Sequence, residues 1–339
     1  FSDGMSIKYK ILGKPGKDNA LMVWIDSGDK FYRFLFDCGE DVLNDISQSD
    51  IRAVDYLCFS HLHIDHAAGF DYFFRRNYER ENKPIQIFGP EFTSDRIYSK
   101  LRGYTWNLLW EPGSVWFVSD IHHDQIKSFR FNSSDGFEKQ LDIKTEPNKN
   151  IIIETDDFVL HAILMNHKIP SIGYIIREKE FVNIDKESLE RENLPGGSWI
   201  KEIKNPNISP DKEIEIENKR FTAGYLRDKL FKKTKGGSIA YLTDFLYEHT
   251  SSKNLQNMIS GCDILVCEGQ YSDADKDLAE KNFHLTASQA AELGRTAGVK
   301  KLILIHISGR YVPESDYPEI LSEARSIFSE TYFPESWLP

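Results

Sequence analysis

Short apolar runs separated by Gly, Pro, Asn and Asp dominate the first part of the chain. Their residues are apolar throughout or alternate with polar ones, which predicts strands buried on one or both faces. Phe70 to Asn77 instead carries aromatic and arginine side chains at helical spacing, so we predict a helix there. The predicted strands of this part are Ser6 to Leu12, Ala20 to Asp26, Tyr32 to Asp37, Val54 to Ser60, Pro84 to Phe88, Ser114 to Val118, Ile151 to Glu154, Phe158 to Leu164 and Ile172 to Arg177.

A second β-rich half follows a long polar interruption. Its predicted strands are the continuous apolar runs Ser238 to Thr243, Ile264 to Cys267 and Lys301 to Ile305. Ala287 to Ala297 has alanines and leucines on one side and predicts a helix. Two β-rich halves suit a two-sheet sandwich covered by helices, which is an α/β fold.

The segment from Glu178 to Gly237 interrupts this pattern. It is highly charged, contains the turn Pro195-Gly196-Gly197 and has few core-forming runs. Such a segment is expected to project from the fold or to cover it. We therefore predict a single domain over residues 5–339 with an inserted arm over residues 178–237.

Composition indicates an ordinary globular protein, with 40% hydrophobic and 28% charged residues in a chain of 339. No apolar run is long enough to span a bilayer, and Phe1 to Lys10 lacks the features of a secretory signal. The four cysteines form no CxxC pair and lie in or beside apolar runs, as buried reduced thiols do. A cytoplasmic protein without membrane association is expected.

The net charge of -11 argues against a protein that coats nucleic acid non-specifically, since such binding requires many cations. A local basic patch nevertheless occurs in the inserted segment. Judged alone, this patch is at least as well explained as a solvated surface. It contains Lys219, Arg220, Arg227, Lys229, Lys232, Lys233 and Lys235.

The run from His61 to His66, with sequence His-Leu-His-Ile-Asp-His, directly follows a predicted buried strand. In an extended loop His61 and His63 point the same way, while Asp65 and His66 follow where the chain turns into the next helix. Imidazole and carboxylate groups bind zinc or a similar cation. The alternative, a surface loop rich in histidine, is disfavoured by the buried strand before it.

Three more candidate ligands, His167, Asp244 and His306, stand at or just beyond the ends of predicted strands. Each alone could be a turn residue, but together they favour a metal site. A carboxylate such as Asp244 can bridge two cations, and two metals can hold a phosphate oxygen and activate water near neutral pH. One metal would then take His61, His63 and His167, and the other Asp65, His66 and His306.

In these residues and in neighbouring motifs, the chain resembles ribonuclease Z, the endonuclease that trims the 3′ end of precursor tRNA. The resemblance spans most of the chain. The resemblance implies a metallo-β-lactamase fold, which is a four-layer αββα sandwich. It also implies two bound zinc ions, for which manganese or iron could substitute, and a homodimer. The histidine run is common to that whole superfamily, whereas the other runs are more specific. The matching runs are Phe36 to Glu40, Ser60 to His66, Asn166 to Tyr174, Cys267 to Gln270, His284 to Thr286 and His306 to Tyr311.

The resemblance also implies roles for individual residues. It implies that His284 protonates the leaving 3′ oxygen, that Glu268 orients or tunes His284, and that Asp65 assists the attacking water. Arg310, with Ser308 in the same run, is expected to bind the substrate phosphate. Without the resemblance, His284 could as well cap a helix or lie on the surface, and Arg310 could form a surface ion pair.

Ribonuclease Z also carries an arm that grips the tRNA body, and Asn193 to Lys201 loosely resembles its Gly-Pro segment. Lysines of the arm would then bind the RNA backbone at a distance from the cut. The alternative is a segment that binds a partner protein or covers a dimer.

Some positions depart from the family pattern, namely the opening Lys10 to Gly16, Phe245 after Asp244, Cys267 and the Pro195-Gly196-Gly197 turn. The lead hypothesis is a metal-dependent phosphodiesterase that processes precursor tRNA. The departures keep open a hydrolase of small phosphodiesters or other esters. A metal-stabilised RNA-binding protein without catalysis is a third hypothesis, disfavoured by the complete set of ligands.

Overall fold

The computed structural model describes residues 7–28, 30–109, 111–205, 207–247, 249–311 and 317–337. These residues form two compact units. We call residues 7–177 together with 237–337 the main unit, and residues 178–236 the inserted unit. No helix among the described residues is both long and apolar enough to cross a membrane.

The first part of the main unit forms an eight-stranded sheet with its strands in chain order. The strands from the third to the sixth run parallel to one another, and the outer pairs are antiparallel. The elements are β1 (Ile7–Gly13), β2 (Asn19–Asp26), β3 (Phe31–Phe36), α1 (Gln48–Ala53), β4 (Tyr56–Cys58), α2 (Ile64–Ala67), α3 (Phe70–Asn77), β5 (Ile85–Pro90), α4 (Thr93–Leu101), β6 (Val115–Ile121), β7 (Gln125–Asn132) and β8 (Leu141–Pro147).

Three further strands precede the inserted unit: β9 (Ile151–Glu154), β10 (Phe158–His167) and β11 (Ile169–Glu178). The inserted unit then folds around its own small apolar core. We expected few core-forming residues there, yet Trp199, Ile203 and Leu226 pack with others into a separate cluster. Its elements are β12 (Phe181–Ile184), α5 (Lys186–Arg191), α6 (Trp199–Lys204), β13 (Glu213–Ile216), β14 (Lys219–Thr222), α7 (Ala223–Leu230) and β15 (Phe231–Thr234).

After the inserted unit the chain completes a seven-stranded sheet, in the order β19-β18-β17-β16-β11-β10-β9. Strands β16 to β19 are parallel, and β16 pairs antiparallel with β11. The remaining elements are β16 (Ser238–Leu242), α8 (His249–Ile259), β17 (Ile264–Glu268), α9 (Lys276–Asn282), α10 (Ala287–Ala297), β18 (Lys301–Ile305), α11 (Tyr317–Ile327) and β19 (Thr331–Tyr332).

Strand β2 shows why the sheets stack. Successive side chains of a strand point to opposite faces, and both faces of β2 are buried. Val23 and Ile25 belong to the core between the two sheets. Ala20 and Met22 belong to the core on the other side, beneath the helices that cover the first sheet.

Aromatic rings join the two sheets across the inner core. Phe34 of β3 lies 5.1 Å from Phe158 of β10, and Phe36 of β3 lies 5.6 Å from Tyr241 of β16, between ring centroids. The same core includes apolar side chains of α10 and α11, which cover the outer face of the second sheet. The layers are therefore helix, sheet, sheet, helix, and the predicted αββα sandwich is confirmed.

Several elements were not predicted, among them β7, β8, α4, α8 and α11. The end of β6 and the start of β7 lie within the polar stretch Ser119 to Lys127, where no strand was predicted. Strand β8 is mostly exposed, so its sequence carries little apolar signal. The predicted helix Ala287–Ala297 is confirmed, with a capping box between Thr286 and Gln289 at its start.

Candidate metal centre

The predicted ligands meet along one edge of the sandwich, where parallel strands end. Strand β4 ends at Cys58, and the loop after it carries His61 and His63 before α2 begins. His167 is the last residue of β10. Asp244 follows β16 by two residues, and His306 directly follows β18. The strand ends thus bring together residues that lie up to 245 positions apart in the sequence.

The seven predicted ligands form two groups that share Asp244. In the first, the Nε2 atoms of His61 and His167 each lie 3.6 Å from Asp244 Oδ2. Nδ1 of His63 lies 2.9 Å from His61 Nε2. The first group is His61, His63, His167 and Asp244, whose ligand atoms all lie within 4.8 Å of one another.

The second group has similar spacing. Nε2 of His66 lies 3.5 Å from Asp65 Oδ2 and 3.4 Å from Asp244 Oδ2. Nε2 of His306 lies 3.5 Å from Asp65 Oδ2. Ligands about 2.0–2.2 Å from a metal in a tetrahedron are separated by about 3.3–3.6 Å, so most of these distances suit a shared cation.

A buried atom without a partner supports the fit. Nε2 of His66 is buried and makes no hydrogen bond, which is costly unless a cation takes the lone pair. The pKa of His61 falls to about 2 because burial and the neighbouring His66 disfavour its charged form. A neutral imidazole is the form that binds metal, so His61 fits a metal site.

Hydrogen bonds on the far side of three of the imidazoles orient them. The Nδ1–H of His66 donates to Asp37 Oδ2 at 2.8 Å, and the Nδ1 of His61 lies 3.0 Å from Ser60 Oγ. The Nδ1–H of His167 donates to the Phe283 carbonyl at 2.8 Å. These three rings therefore present Nε2 to the site, as partners of metal-binding histidines commonly ensure.

Asp37 is the residue of this site that the sequence reasoning missed as a candidate. It is fully buried and also accepts hydrogen bonds from Ser60 N and Oγ at 2.7 Å and from the Tyr241 hydroxyl at 2.8 Å. It lies directly after β3. The rule that selected His167 and Asp244, a polar residue at a strand end, would have found it.

Three residues of the site have left-handed backbone conformations. Asp37, Asp244 and His306 have φ values of 60°, 52° and 56°. This region costs a residue other than glycine roughly 1–3 kcal/mol when the surroundings impose it. The turn redirects the chain immediately after a strand, and the packed strand ends hold it in place.

His284 and Glu268 form a pair beside the second group. The Nδ1–H of His284 donates to Glu268 Oε2 at 2.9 Å, and the other oxygen accepts the Phe245 N–H at 2.8 Å. Burial alone would lower the pKa of His284, but the Glu268 carboxylate raises it to about 9. His284 does not cap α10, since Thr286 does.

Arg310 and Ser308 lie on the segment after β18 but outside the ligand groups. Nη1 of Arg310 pairs with Asp275 Oδ2 at 3.2 Å, and its side chain is 45% exposed. Ser308 N–H donates to the Gln270 carbonyl at 3.1 Å. Gln270 in turn hydrogen bonds to Nδ1 of His306 at 3.1 Å, which ties this segment to the site.

Known proteins resemble the chain over nearly its whole length. A protein named ribonuclease Z from Deinococcus radiodurans is 38% identical over 328 residues, which cover 97% of this chain and 98% of that protein. The chain belongs to the ribonuclease Z family. A family model described as Anti-Pycsar protein Apyc1 matches residues 17–188, just over half of the chain, so the chain belongs to that family as well.

Solved structures agree with the fold. The metallo-beta-lactamase fold protein YhfI from Bacillus subtilis matches with a TM-score of 0.56 and 15% identity, covering 96% of this chain and 95% of that one. Human tRNase Z, short form, matches with a TM-score of 0.51 and 18% identity, covering 89% and 93%. The predicted metallo-β-lactamase fold and metal-dependent hydrolase of the ribonuclease Z family are thereby confirmed.

Proposed function

We propose that this chain cleaves precursor tRNA endonucleolytically at its 3′ end. The observation that carries the proposal is the convergence of seven potential metal ligands with the His284–Glu268 pair at one edge of the fold. Whole-length similarity to a protein named ribonuclease Z supports the choice of substrate.

His61, His63 and His167 would hold one ion, Asp65, His66 and His306 the other, and Asp244 would contact both. When bound, two such cations supply charge that stabilises phosphate oxygens and lowers the pKa of a coordinated water. These donors fit zinc best, although manganese or iron can share them.

Residues of the chain itself would accept and donate the protons of the reaction. Asp65 is partly exposed, 41% at its side chain, and can accept a proton from the attacking water. Glu268 engages Nδ1 of His284, which leaves Nε2 to carry a proton to the leaving 3′ oxygen. Glu268 is buried, and its two carboxylate oxygens accept hydrogen bonds from His284 and from the Phe245 N–H, which fixes this orientation. Arg310 and Ser308 would contact substrate phosphates.

The inserted unit would serve as the arm that binds the tRNA body. Its exposed cations support this role, because flexible solvated lysines suit phosphate contacts. Arg227 of the predicted patch is an exception, since it donates to the carbonyls of Ile203, Asn205 and Ile208. The exposed cations of the predicted patch are Lys219, Arg220, Lys229, Lys232, Lys233 and Lys235.

We also propose a homodimer in the cytoplasm. Exposed aromatic and aliphatic side chains on and around α3 and α4 of the main unit support a protein interface. The cytoplasmic location is supported by the four free, buried thiols among the described residues. The exposed apolar residues are Tyr72, Phe92, Tyr104, Leu108 and Leu109.

The decisive assay compares a precursor tRNA carrying a 3′ trailer with bis(p-nitrophenyl) phosphate, using protein whose metal content has been measured. We expect a single cut at the mature 3′ end and loss of cleavage after chelation. Cleavage of the small ester alone would contradict the tRNA proposal and support the alternative of a small-phosphodiester hydrolase.

A further inference from the structure

A cavity of about 470 Å³ lies in the main unit beside the candidate metal centre. Side chains from the β10–β11 hairpin, the segment after β16 and α8 line it. Ile163, Met165 and Leu255 make its apolar lining, together with Phe245 and Leu246. Its volume lies within the range of roughly 300–1,000 Å³ that is typical of small-ligand sites.

Two proposed metal ligands have chain neighbours in this lining. Lys168 directly follows His167, and Phe245 directly follows Asp244. The Leu246 N–H donates to the Asn166 carbonyl at 2.8 Å, so the two segments are held together. A ligand in the cavity would therefore lie next to a group held by the metal ligands.

Lys168 lines the cavity and also contacts the residue that precedes His284, the proposed general acid. Its Nζ lies 5.1 Å from the centroid of the Phe283 ring, and Phe283 immediately precedes His284. Both Lys168 and Phe283 have positive φ, 59° and 62°. Lys168 is exposed, so its charge is available at the rim of the cavity.

The lining suits a nucleobase attached to a phosphate. Apolar walls can contact the faces of a flat heterocycle, while the exposed amide side chain of Asn254 can hydrogen bond to its edge. The Lys168 ammonium can contact the phosphate that follows. An apolar ligand without charge would not use these two polar groups.

We propose that this cavity, which we call the base pocket, binds the base of the nucleotide that carries the leaving 3′ oxygen. The proposal rests on the proposed function. His284 must reach the leaving oxygen, and Phe283 and Lys168 join His284 to the base pocket. The nucleotide on that side of the cut is therefore the one whose base can enter.

The first experiment measures binding without any RNA cleavage. Adenosine 3′-monophosphate and ribose 3-phosphate share a phosphate and differ by the base, and calorimetry on the metal-loaded protein gives both affinities. We expect the base to tighten binding about tenfold, as stacking of one base commonly does. Equal affinities for the two ligands would overturn the proposal.

Variants localise the effect. Leu246→Trp fills the base pocket, and the tenfold ratio is expected to fall towards one. If thermal unfolding shows that this variant does not fold, Asn254→Trp at the exposed rim tests the same point. Lys168→Gln is expected to weaken both ligands about threefold, whereas Lys139→Gln, an exposed lysine on another part of the unit, should weaken neither. A ratio that stays near ten in the folded tryptophan variants would place the base elsewhere.

The second experiment uses precursor tRNA with an abasic nucleotide. Placed at the last mature position, the abasic site is expected to lower kcat/KM about tenfold, and at the first trailer position by less than twofold. The reverse order would contradict the assignment. Failure to cleave any precursor, combined with an intact tenfold ratio in calorimetry, would refute tRNA processing and leave the base pocket standing.

Discussion

The edge of the main unit that carries the candidate metal ligands buries most of its charged groups, whereas the surface of the inserted unit exposes them. At the metal edge, Asp37, His61, Asp244 and Glu268 are at most 2% exposed, and each has hydrogen-bonding or ionic partners. On the inserted unit, lysines such as Lys229 and Lys232 are exposed. Chemistry requires charged groups that are fixed and desolvated, whereas grip on a polyanion requires charges that remain solvated and adaptable.

The largest effect should come from the residue shared by both ligand groups. Asp244→Ala is expected to lower cleavage by about 10³-fold or more, since several kcal/mol of charge stabilisation depend on bound metal. Elemental analysis should show a loss of bound metal in parallel. His63→Ala should behave in the same way. Full metal content with normal cleavage in Asp244→Ala would mean that the ligand groups are misassigned.

Substitution of His284 should impair cleavage without impairing metal binding. His284→Ala is expected to lower kcat by about 10²–10⁴-fold, the usual contribution of a positioned acid, while metal content is retained. Glu268→Gln keeps a hydrogen-bond partner and should lose less. Cleavage at the rate of the unmodified protein in His284→Ala would remove this residue from the mechanism.

The outer hydrogen bonds of the site should matter to a smaller extent. Asp37→Asn keeps the size of the side chain and tolerates the left-handed backbone, but it weakens the orientation of His66. We expect metal affinity to fall about 10–100-fold, as for other outer partners of ligands. Competition with a chromogenic chelator measures it. Unchanged affinity would show that packing alone orients the ring.

The smallest effects should lie on the inserted unit. A triple change of Lys229, Lys232 and Lys233 to Gln is expected to raise KM for precursor tRNA several-fold, to leave kcat near its original value and to flatten the salt dependence. Arg227→Gln is the matched contrast. It should destabilise the protein by about 1–3 kcal/mol through three unpaired carbonyls. A KM effect of equal size from Arg227→Gln would contradict the assignment of the lysines to RNA binding and of Arg227 to a structural role.

Much of the strand pattern could be predicted because buried strands carry strong apolar runs. Strand β18 and helix α10 have the predicted bounds, and β2 differs from its prediction by one residue. Strand β8 escaped prediction because it is largely exposed and polar. The core of the inserted segment was not predicted, because its few apolar residues are spread over separate short elements and meet only in the folded unit.

The sequence by itself determined which groups could bind metal, because imidazole and carboxylate side chains at strand ends are recognisable without coordinates. The tertiary structure decided which of them meet. It placed Asp244 between two groups of histidines, paired His284 with Glu268 and brought Asp37 behind His66. Sequence spacing cannot specify such contacts, because they depend on the stacking of two sheets whose strands come from distant parts of the chain.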